Sequence, residues 1–592
     1  MNDFITYLNS TNNIDGNQTG TLAEAQITSA FYKKLQVKRR LGEFITEKIK
    51  NNQHYTFILT GHAGDGKTSI LIQVLSDLGL LEEGEKLSEQ AEYSNLYYVK
   101  DMSELPVEKQ KAYFTKALSA PSDNKSSILI SNTGPLLKAF EEFEKVQKGI
   151  TDDEYTEADR IVLQSKILKQ LDNNSTSTVP VCNHDVFLIN VARLDNVSFS
   201  KKILRNIHSE ELWLKCLECP CAAHCPIFHN HVYVSEHLEQ VAVFVENYYR
   251  YLYESDKRMT IRQMMGQISY AITGNLTCEY IYENYKRLSN PLFYYNFANL
   301  FFGYKGIYPD RDTHQITGIS FIQNLGLDKI AIDVDFYLFV SEKYQEYFDD
   351  SIISILEPLR EKTRSYYRNS TEDNYNDDNK EKLLIRQSFR RFYYFFGTVK
   401  NQNDLYNQLF GNLFSDYCKI INSSAPRAKL NEIRDLIFKA LYIKNTGFEP
   451  VNDDRLYLTL RREDDVFQNV MLVLGQATKR DLKLVQTSVN SDYEDDQSKY
   501  SLRLRIGNND YQISFPMITY FSALAEGAIS SNSNPALTHG IATIETALLE
   551  EFKSEQPERR DDCEMTLLIN TTNGAQIKTI SFNSDNSINI YN

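Results

Sequence analysis

The sequence predicts an α/β domain with a parallel sheet flanked by helices, then a helical domain, then a small α+β domain. Three observations carry this. A glycine-rich loop near residue 60 stands between a β-prone run and a helical run. Short apolar runs alternate with helical stretches as far as about residue 210. Beyond residue 455 the hydrophobic pattern alternates as strands do.

Taken in order, residues 1–53 read as helical, with Ala23 to Lys50 running into the first strand. His54-Tyr-Thr-Phe-Ile-Leu-Thr60 is short, apolar and β-prone, so a buried strand is expected there. Residues 61–68, Gly-His-Ala-Gly-Asp-Gly-Lys-Thr, then complete a G-x-x-x-x-G-K-[ST] pattern. Gly61, Gly64 and Gly66, with His62, Ala63 and Asp65 between them, let backbone N–H groups turn inward around phosphate oxygens. Lys67 can reach the β- and γ-phosphates, and the Thr68 hydroxyl can ligate Mg²⁺. Ser69 to Leu75 has helical spacing and would aim a helix N-terminus at the same phosphates. The fold expected is therefore that of a P-loop NTPase, with Gly61 through Ser69 as the nucleotide-binding segment. No base-reading motif separates ATP from GTP.

Further strands are expected at Leu96–Asp101, Ser127–Asn132 and Asp185–Val191, with a polar loop at 172–178. Hydrolysis needs a second Mg²⁺ anchor and a group that positions water. Asp101, ending its strand, is the candidate anchor; its plainer role is to cap the following turn. Glu104, three residues on, could act on the water. Asn132, at the tip of the next strand, could sense a γ-phosphate or simply serve its turn. Arg262 follows a capping Thr260 at a helix start, where it could contact the γ-phosphate or pair with a surface carboxylate.

Residues 211–235 form a cysteine-rich element. Cys216, Cys219, Cys221 and Cys225 fall within ten residues, with His224, His229 and His231 beside them. In a reducing compartment this spacing predicts metal ligation, with structural Zn²⁺ as the expected ion and an iron–sulfur cluster or unligated reduced thiols as the alternatives. Cys182, Cys278, Cys418 and Cys563 read as isolated small residues. Residues 236–450 read as a helical domain with a mobile polar loop near 369–382. Residues 451–592 read as the α+β domain, with strands at 456–460, 500–506 and 510–515 and helices near 516–526 and 540–551.

The chain has 592 residues, 38 Tyr and 32 Phe, an aromatic excess that reads as core in a helical protein. It lacks a long apolar run and a basic-then-apolar start, so no membrane span and a cytoplasmic location are expected. A net charge of −15 means that any DNA contact needs a local basic patch. Lys33, Lys34, Lys38, Arg39 and Arg40 form one candidate, and Arg386, Arg390 and Arg391 another; a solvated helix face is the plainer reading of each.

Together these pieces resemble the DptF (DndF) family, ATPases of bacterial DNA phosphorothioation-dependent restriction systems. The resemblance lies in Gly61–Ser69, Lys100-Asp-Met-Ser-Glu104, Ile128–Leu137 and Phe187–Asp195. It continues in Thr260–Gly274 and in Tyr511–Gly527; the tight cysteine cluster departs from it. The resemblance implies ATP as the nucleotide and partner subunits of a restriction or anti-phage complex, acting on DNA. Two other readings stand beside it: a nucleotide-gated switch that homo-oligomerises, and a scaffold without enzymatic activity. No nuclease carboxylate cluster, kinase signature or nucleophile elbow is present.

Overall fold

The computed structural model describes residues 1–12, 29–82, 84–151, 154–173, 177–366, 371, 379–450, 453–460, 469–488, 492–495, 499–528, 534–553, 563–571, 574–582 and 587–591. The chain forms two compact units. The first is Met1–Tyr253, Arg258–Leu409 and Asn490–Gln497; the second is Glu254–Lys257, Phe410–Val489 and Ser498–Asn592.

The first unit is built around a six-stranded mixed sheet. In chain order its strands are β1 (Thr56–Thr60), β2 (Gln90–Glu92), β3 (Leu96–Val99), β4 (Ser126–Ile130), β5 (Val179–Val181) and β6 (His184–Asn190). They lie side by side as β2-β3-β4-β1-β6-β5. The four central strands are parallel, as expected. Both edges depart from the all-parallel expectation: β2 runs antiparallel to β3, and β5 antiparallel to β6. These edge strands are only three residues long, β2 polar and β5 interrupted by Pro180, which is why the sequence pattern missed them.

Strand pleating explains the apolar runs. Phe57, Leu59, Ile128, Ile130, Phe187 and Ile189 pack into one core, and Ile58, Leu129, Val186 and Leu188 into another. A strand buried on both faces must be apolar at every position. The first core is closed by α2 (Arg40–Lys50) and α3 (Lys67–Asp77). The second is closed by α4 (Val107–Ser119), α5 (Thr133–Lys148) and α6 (Glu157–Asn173).

The N-terminal segment differs from the continuous helix expected. After α1 (Asp3–Thr11), residues 13–28 lie outside the described residues. A short helical turn, Tyr32–Leu35, then gives way to extended chain before α2. Of the polar loop 172–178, Asp172 and Asn173 close α6, and 174–176 lie outside the described residues.

The rest of the first unit is mainly helical, with a two-stranded ribbon, Tyr304–Lys305 against Tyr308–Pro309. It includes α7 (Phe199–Ile207), α8 (Ile261–Thr273) and α9 (Lys380–Phe396). The aromatic excess is packed here: Phe244, Phe297, Phe301, Tyr394 and Phe395 pack mostly edge to face, with centroids 4.8–6.4 Å apart. In the loop expected near 369–382, residues 369–370 and 372–378 lie outside the described residues, and α9 already begins at Lys380.

The second unit is α+β. A five-stranded antiparallel sheet runs Ile588–Tyr591, Gly574–Phe582, Cys563–Thr571, Val470–Thr478, Arg455–Leu460. A second sheet runs Lys483–Ser488, Tyr500–Ile506, Asn509–Gln512. Helices Phe515–Ala525 and Pro535–Phe552 accompany them. Among all described residues, no helix is long and apolar enough to cross a membrane.

Candidate functional site

β1 ends at Thr60, the glycine-rich loop follows, and α3 opens at Lys67. The loop emerges at the carboxyl ends of the parallel strands, where β4 and β6 flank β1 on opposite sides. Crevices at such points are where open α/β sheets take ligands. Gly64 and Gly66 sit at φ +89° and +87°, a region that favours glycine. His62 and Ala63 are exposed at the loop tip.

The Lys67 ammonium donates to the carbonyls of Gly61 (2.6 Å) and His62 (3.0 Å) and to Asn132 Oδ1 (3.4 Å). Burial pulls its pKa below the ordinary lysine value. Asp101 and Asp65 oppose that shift, and the Arg262 charge adds to it. The structure thus brings Lys67, Asp101, Asn132 and Arg262 into one electrostatic neighbourhood. Asp101 follows β3, and its carboxylate accepts the Ser103 N–H at 2.9 Å, capping the turn Met102–Glu104. Glu104 lies exposed on that turn. The Asn132 N–H donates to Ser103 Oγ at 2.7 Å, tying the ends of β3 and β4 together. Thr68 and Ser69 are half-buried in the first turn of α3.

Arg262 stands in the first turn of α8. Thr260 caps this helix through a reciprocal capping box with Gln263. The guanidinium is half-buried with no hydrogen-bond or ion-pair partner among the described residues, and desolvation lowers its pKa. The helix start lies against the loop: a β-carbon on Gly64 would meet Thr260 Oγ1 at 3.1 Å and Arg262 Cβ at 3.3 Å. Two cavities flank the loop. One of about 390 Å³ is lined by Gly61, His62, Ala63, Asn132, Thr133 and Asn190. The other, of about 130 Å³, includes Tyr32, Val37, Gly64, Ser69, Ile261 and Arg262.

Sequence reasoning missed the support beneath the loop. Asp65 is fully buried; its carboxylate accepts the His62 N–H (2.8 Å) and pairs with Arg258 Nη1 (2.5 Å). Arg258 also donates to the Val191 carbonyl at 3.3 Å. Arg39 donates to the Asp65 carbonyl (3.3 Å) and pairs with Asp495 (3.2 Å). The one signal in the sequence was the acid itself, since a carboxylate buried beneath a loop requires a compensating cation.

The basic patch Arg386, Arg390 and Arg391 needs correction. Arg386, Arg390 and Arg391 are buried within α9: Arg390 pairs with Asp335, Arg391 with Asp328, and Arg386 lies over the Phe339 ring at 4.5 Å. Desolvated and neutralised, they offer no surface to DNA. In the other patch, Arg39 is withdrawn from the surface while Lys33, Lys34 and Lys38 are exposed. Lys38 pairs with Asp77, and Arg40 pairs with Glu43 and Glu47.

In the cysteine-rich element, Cys219 and Cys221 sulfurs lie 3.3 Å apart. Among the described residues, no three Cys, His, Asp or Glu side chains are grouped so as to hold a metal ion. His231 is engaged with His208 (Nδ1 to Nδ1, 3.1 Å) and stacks on Trp213 at 4.4 Å; His224 stacks on Tyr285. Cys278, read as an isolated small residue, instead joins the cluster, while the Cys563 side chain lies outside the described residues. Comparison with known protein families, curated proteins and solved structures finds no match for this chain.

Proposed function

We propose that this chain is a P-loop NTPase that binds and hydrolyses ATP with Mg²⁺. It would serve as the ATPase subunit of a bacterial restriction or anti-phage complex, coupling nucleotide state to DNA or partner engagement. One observation carries the nucleotide reading. The charge of Arg262, without a hydrogen-bond or ion-pair partner among the described residues, acts on the partly buried Lys67 at a glycine loop and a helix N-terminus, and Arg262 lines a cavity with Gly64 and Ser69 of that loop. Two desolvated cations and a helix dipole stabilise a polyanion far better than they tolerate each other.

In this reading the loop amides and Lys67 hold the β- and γ-phosphates, and Thr68 ligates Mg²⁺. Asp101 supplies the second anchor, Glu104 orients water, and Asn132 and Arg262 contact the γ-phosphate. The smaller cavity, beside Ser69, takes the base side. The restriction-complex part rests on the resemblance of Gly61–Ser69 and the strand-end motifs. It is tested by ATP turnover with and without DNA: stimulation by DNA that disappears in Lys67→Ala supports it. Turnover indifferent to DNA removes that part.

The close seating of Thr260 and Arg262 on Gly64 also favours the second reading, a nucleotide-gated switch. ATP-driven assembly without DNA would select it.

A further inference from the structure

Five of the eight cysteines ring one cavity of about 590 Å³ in the first unit: Cys216, Cys219, Cys221, Cys225 and Cys278. Four come from the 216–225 element; the fifth opens a separate helix, Cys278–Asn284. Among the described residues no histidine lines this cavity; Glu218 is its one carboxylate, and five thiols make sulfur the prevailing donor. All five are free thiols.

The surroundings are those of ligating sulfurs. Asn2 joins the two chain segments: its Nδ2 donates to Cys216 Sγ at 3.3 Å, and its carbonyl accepts from Cys278 Sγ at 4.0 Å. An N–H to sulfur bond such as that of Asn2 orients a thiolate and tunes the centre it holds. Cys225 stands at the N-cap position of the eleven-residue helix Pro226–Glu236.

Geometry decides between ions. A tetrahedral zinc needs four sulfurs about 2.3 Å from a single point. Here Cys219 and Cys221 touch, but no three donors among the described residues are grouped around one ion, and the thiols surround a space. A polynuclear cluster carries its own irons outward to separated thiols.

We propose that this cavity holds a cubane iron–sulfur cluster. Its ligands are the thiolates of Cys216, Cys225, Cys278 and one member of the Cys219/Cys221 pair. Each ligating thiol releases its proton to solvent as the iron–sulfur bond forms. The proposal does not depend on the nucleotide reading.

The test uses the full chain, stripped and then reconstituted without oxygen from equal parts of ferrous and ferric iron with sulfide, which supplies the two Fe(II) and two Fe(III) of the core. The expected result is about four irons and about four labile sulfides per chain. Visible charge-transfer absorption and quenching of Trp213, the sole tryptophan, should accompany them. Cys278→Ser should lose more than half of the iron, while Cys418→Ser keeps it. Alkylation of the unmutated chain needs no variant to fold: Cys216, Cys225 and Cys278 should be protected when loaded and modified when stripped. One equivalent of zinc with no iron bound would overturn the proposal, as would failure to take up iron. Equal alkylation of Cys278 in both states would overturn it too.

Discussion

Replacing Arg258 with alanine tests whether the phosphate loop is held from beneath. Asp65 has no exposed surface, and Arg258 Nη1 lies 2.5 Å from its carboxylate. Without the guanidinium, the buried charge keeps one donor, the His62 N–H at 2.8 Å. Charge centres about 4 Å apart at an effective dielectric of about 20 attract by about 4 kcal/mol. Removing one member of a buried pair costs about 3–5 kcal/mol, because the survivor stays desolvated. Arg258→Ala should therefore lower the stability of the first unit by about that amount and weaken nucleotide binding. Urea unfolding followed by Trp213 fluorescence reads the first unit directly, since this buried residue is the only tryptophan. Asp65→Asn combined with Arg258→Ala should recover about half of the loss or more, because no uncompensated charge then remains. A cost for Arg258→Ala below about 1 kcal/mol, the level of an exposed pair, would refute the reasoning.

Gly64→Ala should cost about 1–3 kcal/mol through its φ of +89°. It should also crowd Thr260 and Arg262, which calorimetry would register as weaker nucleotide binding. Buried His208 is held neutral, its pKa lowered from 6.5 to about 3 chiefly by desolvation and then by His231. Its contribution to stability is complete above about pH 6.5. It is lost as the pH falls toward 3, because the unfolded chain takes up the proton first; by pH 5 the loss is about 2 kcal/mol. His231, lowered to about 4, adds in the same direction, so urea midpoints should fall steadily from pH 7 to 5. Arg391→Ala leaves Asp328 buried and unpaired. It should destabilise the protein by about 3–5 kcal/mol and leave the salt dependence of any DNA binding unchanged; a reduced salt slope would restore α9 as a DNA-binding surface.

What the sequence made legible follows from where its signals are local. β1, β3, β4 and β6 show as apolar runs because both of their faces are buried. The loop shows because its chain reversal places Gly64 and Gly66 at positive φ, where glycine is favoured. Thr260 announces a helix start through its reciprocal bond with Gln263. Edge strands β2 and β5, only three residues each, are too short to leave a periodic trace. Long-range pairing is hidden for a different reason. Arg258 with Asp65, Arg391 with Asp328 and Cys278 with the 216–225 element depend on which segments the fold brings together. Arginines at helical spacing look alike whether they face water or a buried carboxylate, and that ambiguity made α9 read as a basic surface.

The central claim is that the Lys67 ammonium exchanges its present acceptors, the Gly61 and His62 carbonyls, for triphosphate oxygens. Isothermal calorimetry of the purified chain with ATP and Mg²⁺, beside Lys67→Ala, addresses it most directly. The account predicts saturable binding at one site per chain, lost in the variant while its fold is retained. No binding of any nucleoside triphosphate to well-folded protein, or equal binding by Lys67→Ala, would contradict it.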